Sequence, residues 1–242
     1  MTLISRRHLV TGLSAFCAGQ SIARPLAAQT TVPLILTRAT HGRAEVALTF
    51  DDGPHPTLTP QLLDILAAYG ARATFYVIGR NAARYPEILR RMAAEGHEIG
   101  NHTWSHPSLY GVSDGGVLAE IDRTNDAVRA AVGFDPQSIR PPYGNMYPRQ
   151  SHMVFDARGM TTVLWSVDPL DWQRPGSGVV AGRIINGSHS GAVVLSHDIH
   201  GPTVRAMPAV LDGLRGRGYS MVQVSEIVDR GVWPAPGRLA RI

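Results

Sequence analysis

From Glu45 onward, short apolar runs alternate with amphipathic stretches. Glu45–Phe50 reads as a buried strand that stops at Asp51-Asp52-Gly53-Pro54. Thr59-Pro60 predicts a helix start, with Thr59 as N-cap and Pro60 at the first helical position. Leu62, Leu63, Leu66 and Ala67 supply its apolar stripe, and Gly70 ends it. Further strands are expected over Ala73–Ile78, Glu98–Asn101, Ser138–Arg140, Thr161–Ser166, Ala192–Leu195 and Ser220–Val222. Helices are expected over Tyr85–Glu95, Asp114–Ala131, Arg149–Arg158, Gly178–Ile185 and Thr203–Arg217. Repeated strand–helix units imply a mostly parallel sheet covered by helices, and about seven of them favour a closed or partly closed α/β barrel.

The unusual polar residues cluster just after these strands. Parallel α/β barrels build their sites at that rim, so residues far apart in sequence converge there. Asp-Asp-Gly alone is a common turn, but Asp51-Asp52-Gly53-Pro54 ends an apolar strand, which favours a bound cation over a solvated turn. His102 and His106 are four apart and can reach one ion from a single turn or tight loop. With ten histidines in the chain the pair is weak alone. Joined by Asp52, it gives three nitrogen and oxygen ligands of the kind that suit a catalytic zinc with an open position, with cobalt or manganese also acceptable. His97 reads as a core or supporting histidine. Arg140-Pro141-Pro142-Tyr143-Gly144 is a rigid turn whose amides suit an oxyanion hole, although on this segment alone an ordinary turn with a surface arginine is simpler. Asp168–Trp172 and Leu195–Asp198 end two more strands with acids, a histidine and an aromatic, the materials of a general acid held by a carboxylate.

Composition narrows the class. The chain has 242 residues, long enough for one well-buried domain. All 23 basic residues are Arg, which removes lysine Schiff-base chemistry. Residues 1–30 read as an export signal: Arg6-Arg7, a short apolar run from Leu9 to Ile22, then small residues to Gln29, similar to a twin-arginine signal. That segment holds Arg6, Arg7 and Arg24 and no acid, so the formal charge of +4 falls to +1 without it. No nucleic-acid footprint is expected in the remainder, nor a stable membrane anchor. The only cysteine, Cys17, lies in the same segment. Residues 31–44 read as an N-terminal extension, 45–230 as one catalytic domain and 231–242 as a tail.

Read together, Thr49–Pro54, His102–His106, Arg140–Tyr143, Asp168–Trp172 and Leu195–Asp198 resemble, in order, the five motifs of the polysaccharide deacetylase family, also called carbohydrate esterase family four or the NodB-homology domain. The resemblance runs from about Glu45 to Asp229 and implies a distorted (β/α) barrel. It implies that Asp52, His102 and His106 bind a divalent metal that polarises an acetamide carbonyl and the attacking water. Asp51 would be the base, with its carboxylate held by Arg140. The Tyr143 backbone N–H would stabilise the oxyanion. His197 would be the acid, oriented by Asp171, and Trp172 and Leu195 would form the slot for the acetyl methyl. The implied substrate is an acetylated polysaccharide, peptidoglycan or chitin-like. Small amides, imides or O-acetyl esters are the alternative substrates, and a non-catalytic glycan-binding module is the alternative role.

Overall fold

The computed structural model describes residues 35–40 and 42–228. The readings of an export signal over 1–30 and a tail over 231–242 lie outside them. In chain order the elements are β1 (Ile35–Leu36), β2 (Glu45–Asp51), α1 (Leu58–Ala68), β3 (Thr74–Val77), α2 (Gly79–Arg84), α3 (Pro86–Ala94), β4 (Glu98–Asn101), α4 (Asp114–Val132) and β5 (Ser138–Ile139). There follow α5 (Pro148–Arg158), β6 (Thr161–Val163), α6 (Ser177–Gly187), β7 (Ala192–Val194), α7 (Gly201–Gly216), β8 (Ser220–Val222) and α8 (Val224–Ile227). Every strand ladder is parallel, in the order β1-β6-β5-β4-β3-β2-β7, with β8 paired to the first half of β2. Beyond the ladders, the bridges Arg38↔Ala192 and Val167↔Val194 join the two ends of this order, so a distorted barrel is held shut at one seam by isolated pairs.

Alternation along the strands separates two interiors. Val46, Leu48 and Phe50 of β2 pack with Leu62, Leu63 and Leu66 of α1 and with Val210, Leu211 and Leu214 of α7 in the main apolar core. Ala47 joins Tyr76, Val163 and Val193 in a smaller cluster on the opposite face. A strand covered on both faces must be buried throughout, as β2 is from Val46 to Asp51. The period of two therefore sends Asp51 to the same side as Ala47 and Thr49, inside the barrel. There the filling turns polar toward the strand ends: Thr49, Asp51 and Arg140 are all buried.

Four local expectations are corrected. Ile35–Leu36, within the stretch read as an extension, adds a strand beside β6. Thr59 does not cap α1: the His55 ring Nδ1 accepts from the N–H groups of Thr57 and Leu58, and the helix begins a residue before Thr59. The helix expected over Tyr85–Glu95 is the second of two, because Pro86 keeps Tyr85 out of helical geometry (φ −129°, ψ 55°) and separates α2 from α3. The seam shortens another element: Thr161–Ser166 ladders only to Val163, after which Ser166 and Val167 turn to donate to the Val193 carbonyl.

Candidate active site

One wall of the site is organised by Arg140, which is fully buried. Its Nη1 donates to Asp51 Oδ1 at 2.8 Å and to Thr49 Oγ1 at 2.6 Å, and its Nε and Nη2 donate to the carbonyls of Val163 and Leu164. The guanidinium also lies 4.3 Å from the centre of the Tyr76 ring. The simpler reading of Arg140 as a surface residue is thereby overturned. A buried cation requires a paired carboxylate and satisfied donors, and both are present. The Arg140 carbonyl in turn accepts from His102 Nδ1 at 2.6 Å.

That last bond fixes the tautomer of His102: with Nδ1 donating, Nε2 presents a lone pair. Nε2 lies 3.5 Å from Asp52 Oδ1, and His106 Nε2 lies 3.2 Å from the same oxygen. Asp52 Oδ1 is buried without a hydrogen-bond partner among the described residues. Two ligands of one tetrahedral zinc, each about 2.0–2.2 Å from it, stand on the order of 3.3 Å apart. Asp52, His102 and His106 thus fit a divalent ion by spacing, donor type and an orphaned oxygen. Burial alone would raise the Asp52 carboxyl, but the two imidazoles, in their protonated form, outweigh it and hold it far below the usual carboxylate range.

Both loops that carry this trio are held by residues that the sequence pattern did not single out. The Asn81 side chain on α2 donates to the Asp52 carbonyl, while the Gly79 and Arg80 N–H groups at the start of α2 donate to the Thr103 and Trp104 carbonyls. Glu120 on α4 accepts from the N–H groups of Trp104 and Ser105 and from the Ser105 hydroxyl, gripping the backbone between the two histidines. Asp52, Thr103, His106 and Tyr143 all adopt left-handed φ, between 60° and 75°. Such conformations are uncommon outside glycine and persist where surrounding contacts over-determine them, as they do here.

The opposite wall is built on Asp171. Its Oδ1 accepts from His197 Nδ1 at 2.7 Å, and its Oδ2 from the His197 N–H at 2.8 Å and the Thr203 hydroxyl at 2.7 Å. Burial would lower the His197 imidazole, but Asp171, reinforced by Asp51 and Asp52, raises it to about 9. Beside it, fully buried Asp198 accepts from the Thr59 hydroxyl and packs against Gly53, where an added Cβ would sit 2.3 Å from its carboxylate. Burial pushes Asp198 up to about 7. Asp198 thus ties the segment carrying His197 to the start of α1 through Thr59 and to the turn carrying Asp52 through Gly53.

Between the walls opens a pocket of about 450 Å³. Of the residues expected at the site, Asp51, Asp52, His102, His106, Tyr143, Trp172, Leu195 and His197 line it. Arg140 and Asp171 stand behind, buried and hydrogen-bonded to Asp51 and His197. Asp51 and His197 are bridge partners at adjacent strand ends. The pocket also takes in Pro141, Trp165, Asp168 and His200. His97 is a core histidine whose Nδ1 accepts from the Ala73 N–H.

The polysaccharide deacetylase family model matches residues 38–163. The chain belongs to this family. Peptidoglycan-N-acetylglucosamine deacetylase PgdA of Listeria monocytogenes is 36% identical over 204 residues, covering 84% of this chain and 42% of that protein. The chain thus spans less than half the length of that relative. A chitooligosaccharide deacetylase of Bradyrhizobium is 37% identical over 209 residues, covering 78% of this chain and 95% of that protein. Among solved structures, the Bc1960 peptidoglycan N-acetylglucosamine deacetylase superposes with a TM-score of 0.77 at 34% identity, covering 80% of this deacetylase-family chain and 92% of that one. Those structures share its mostly parallel α/β fold.

Proposed function

We propose that the chain hydrolyses the N-acetyl groups of N-acetylglucosamine-type sugars in an envelope polysaccharide, peptidoglycan or chitin-like, in a divalent-metal-dependent reaction outside the cytoplasm. One observation carries the reading: Asp51 and His197 meet across a single pocket, each held by its own buried partner, beside the triad Asp52, His102 and His106. Glycan binding alone would need no opposed base and acid. The names borne by the relatives support the substrate class. No helix among the described residues is long and apolar enough to cross a membrane.

Asp52, His102 and His106 would hold the ion, zinc by preference, which when bound supplies Lewis acidity toward the acetamide carbonyl and the attacking water. Asp51 takes the proton from that water as its oxygen bonds to the carbonyl carbon. Arg140 fixes the Asp51 carboxylate, so the base loses no time to rotation. The Tyr143 N–H, set by the Pro141-Pro142 turn, donates to the oxygen that becomes negative. His197 then gives its Nε2 proton to the departing nitrogen as the C–N bond breaks, releasing acetate and a free amine. Asp171 keeps Nδ1 occupied, so the proton is carried on the atom that faces the pocket. Trp172 and Leu195 enclose the methyl group, while the wide mouth, with Tyr143 and Trp172 more than half exposed, suits a sugar within a chain better than a small amide.

A panel of N-acetylated glycans, acetylxylan and small imides, scored by acetate release with and without chelator, tests this. Acetate is expected from the N-acetylated glycans only, and its release is expected to stop with chelator and return with zinc. Turnover confined to imides or esters would overturn the substrate, and chelator-insensitive turnover would overturn the metal.

A further inference from the structure

Two segments leave the pocket side by side. At its edge the rings of His106 and Tyr143 meet edge-on with centroids 4.8 Å apart. Midway, the Leu109 N–H donates to the Asn145 carbonyl, and the Asn145 side chain donates to the Ser108 hydroxyl. Four residues on from the first ring pair, the rings of Tyr110 and Tyr147 lie 4.8 Å apart and tilted by 37°. Just beyond, fully buried Gln150 accepts from the Tyr147 N–H and donates to the Val112 carbonyl. The two chains therefore run in register, pinned above, between and below the tyrosine pair.

Their side chains alternate in and out. Leu109 and Met146 turn inward and pack with Val117, Ile121, Ile139 and Val154. Their neighbours Tyr110 and Tyr147 turn outward, 50% and 42% exposed. The core makes no demand for an aromatic at either position, and large exposed apolar groups on a rigid frame mark contact surfaces. A sugar ring presents a face of C–H groups to which the electron-rich face of a tyrosine is complementary, while its phenol offers a hydrogen bond at the rim. Four extended residues span no more than about 14 Å, so a chain held at the pocket reaches this pair within a few sugar rings.

We propose that Tyr110 and Tyr147 form a stacking site for a sugar of the substrate chain remote from the one being deacetylated. The inference rests on the glycan reading given above. It assigns to this pair a preference for long chains and no part in the chemistry.

Acetate release and calorimetric affinity, measured with the full chain on N-acetylglucosamine oligomers from dimer to hexamer, test it. Wild type is compared with Tyr110→Ala, Tyr147→Ala and the ring-keeping Tyr110→Phe and Tyr147→Phe, all checked for unchanged melting temperature. Each alanine variant is expected to raise KM and Kd for the hexamer on the order of five- to tenfold, the loss common on truncating an interface aromatic. Their kcat and their activity on the dimer are expected to stay at the wild-type level, and the phenylalanine variants to retain most of the hexamer affinity. Unchanged hexamer KM and Kd, or equal losses on dimer and hexamer, would overturn the site. If wild type releases no acetate yet the variants still lose hexamer affinity, the deacetylase reading falls and the stacking site stands. A wild type that neither binds nor deacetylates any oligomer removes both.

Discussion

The two walls of the pocket hold Asp51 and His197 by opposite means. On the Asp51 side a buried cation is the organiser: from the end of β5, Arg140 reaches one carboxylate and one hydroxyl on β2 and two carbonyls at the end of β6. On the His197 side a buried carboxylate is the organiser, and Asp171 draws its three donors from only two residues of one neighbouring segment. The first arrangement knits the barrel together as well as aiming the Asp51 carboxylate. The second aims the His197 imidazole and touches little else. Removing an organiser should therefore damage the fold on one side and mainly the chemistry on the other.

The largest effect is expected from the reactive groups themselves. Asp51→Asn should cut acetate release on the order of 10²–10⁴-fold, the range for a lost general base, while zinc content per chain stays at wild type. His102→Ala should lose both activity and zinc, measured by metal analysis after dialysis. An active Asp51→Asn variant would remove the base from that wall. Next comes Arg140→Met, which leaves the Asp51 carboxylate buried and unpaired. A loss of about 3–5 kcal/mol is usual for breaking such a pair, and urea denaturation should show it. Asp171→Asn should cost clearly less in the same assay. Equal losses would erase the contrast between the walls.

Gly53→Ala should cost about 1–3 kcal/mol, as overpacking does, because the new methyl meets Asp198. Its effect reads how firmly the two walls are joined through Thr59 and Asp198. The smallest expected change concerns pH. His197 is raised to about 9, so it keeps its proton through neutrality and kcat/KM should fall as pH rises through about 9. In Asp171→Asn that limb should move to lower pH, toward the ordinary histidine range. Because the folded pKa of His197 exceeds the unfolded one, its contribution to stability is complete below about 6.5 and is lost as pH rises through about 9. An alkaline limb indifferent to Asp171 would detach that carboxylate from the acid.

The residues of the candidate site were legible because they interrupt apolar strands with rare polar strings, and strand ends converge in a parallel barrel whatever lies between them. Asp51, Asp52, His102, His106, Arg140, Asp171 and His197 all arrive where that rule sends them. What steadies them was not legible. Glu120 is one acid on a polar helix face, Thr59 looks like a helix cap, and Asn81 sits in a short helix too brief to show a period. Each acts across a distance in sequence that no local pattern encodes. The seam of the barrel was hidden for the same reason, since it depends on Ser166 and Val167 changing partners rather than on any change in residue type.

Arg140 serves the site twice, but through different parts of itself. Its guanidinium belongs to arginine alone, whereas the carbonyl that orients His102 is present in any amino acid placed there. Substitution at this single position would therefore remove the support of Asp51, at the stability cost expected above, while leaving in place the backbone carbonyl that orients His102. For an engineer, on the roles proposed above, a substitution at this one codon in a chain stabilised elsewhere would separate turnover from capture of the ion.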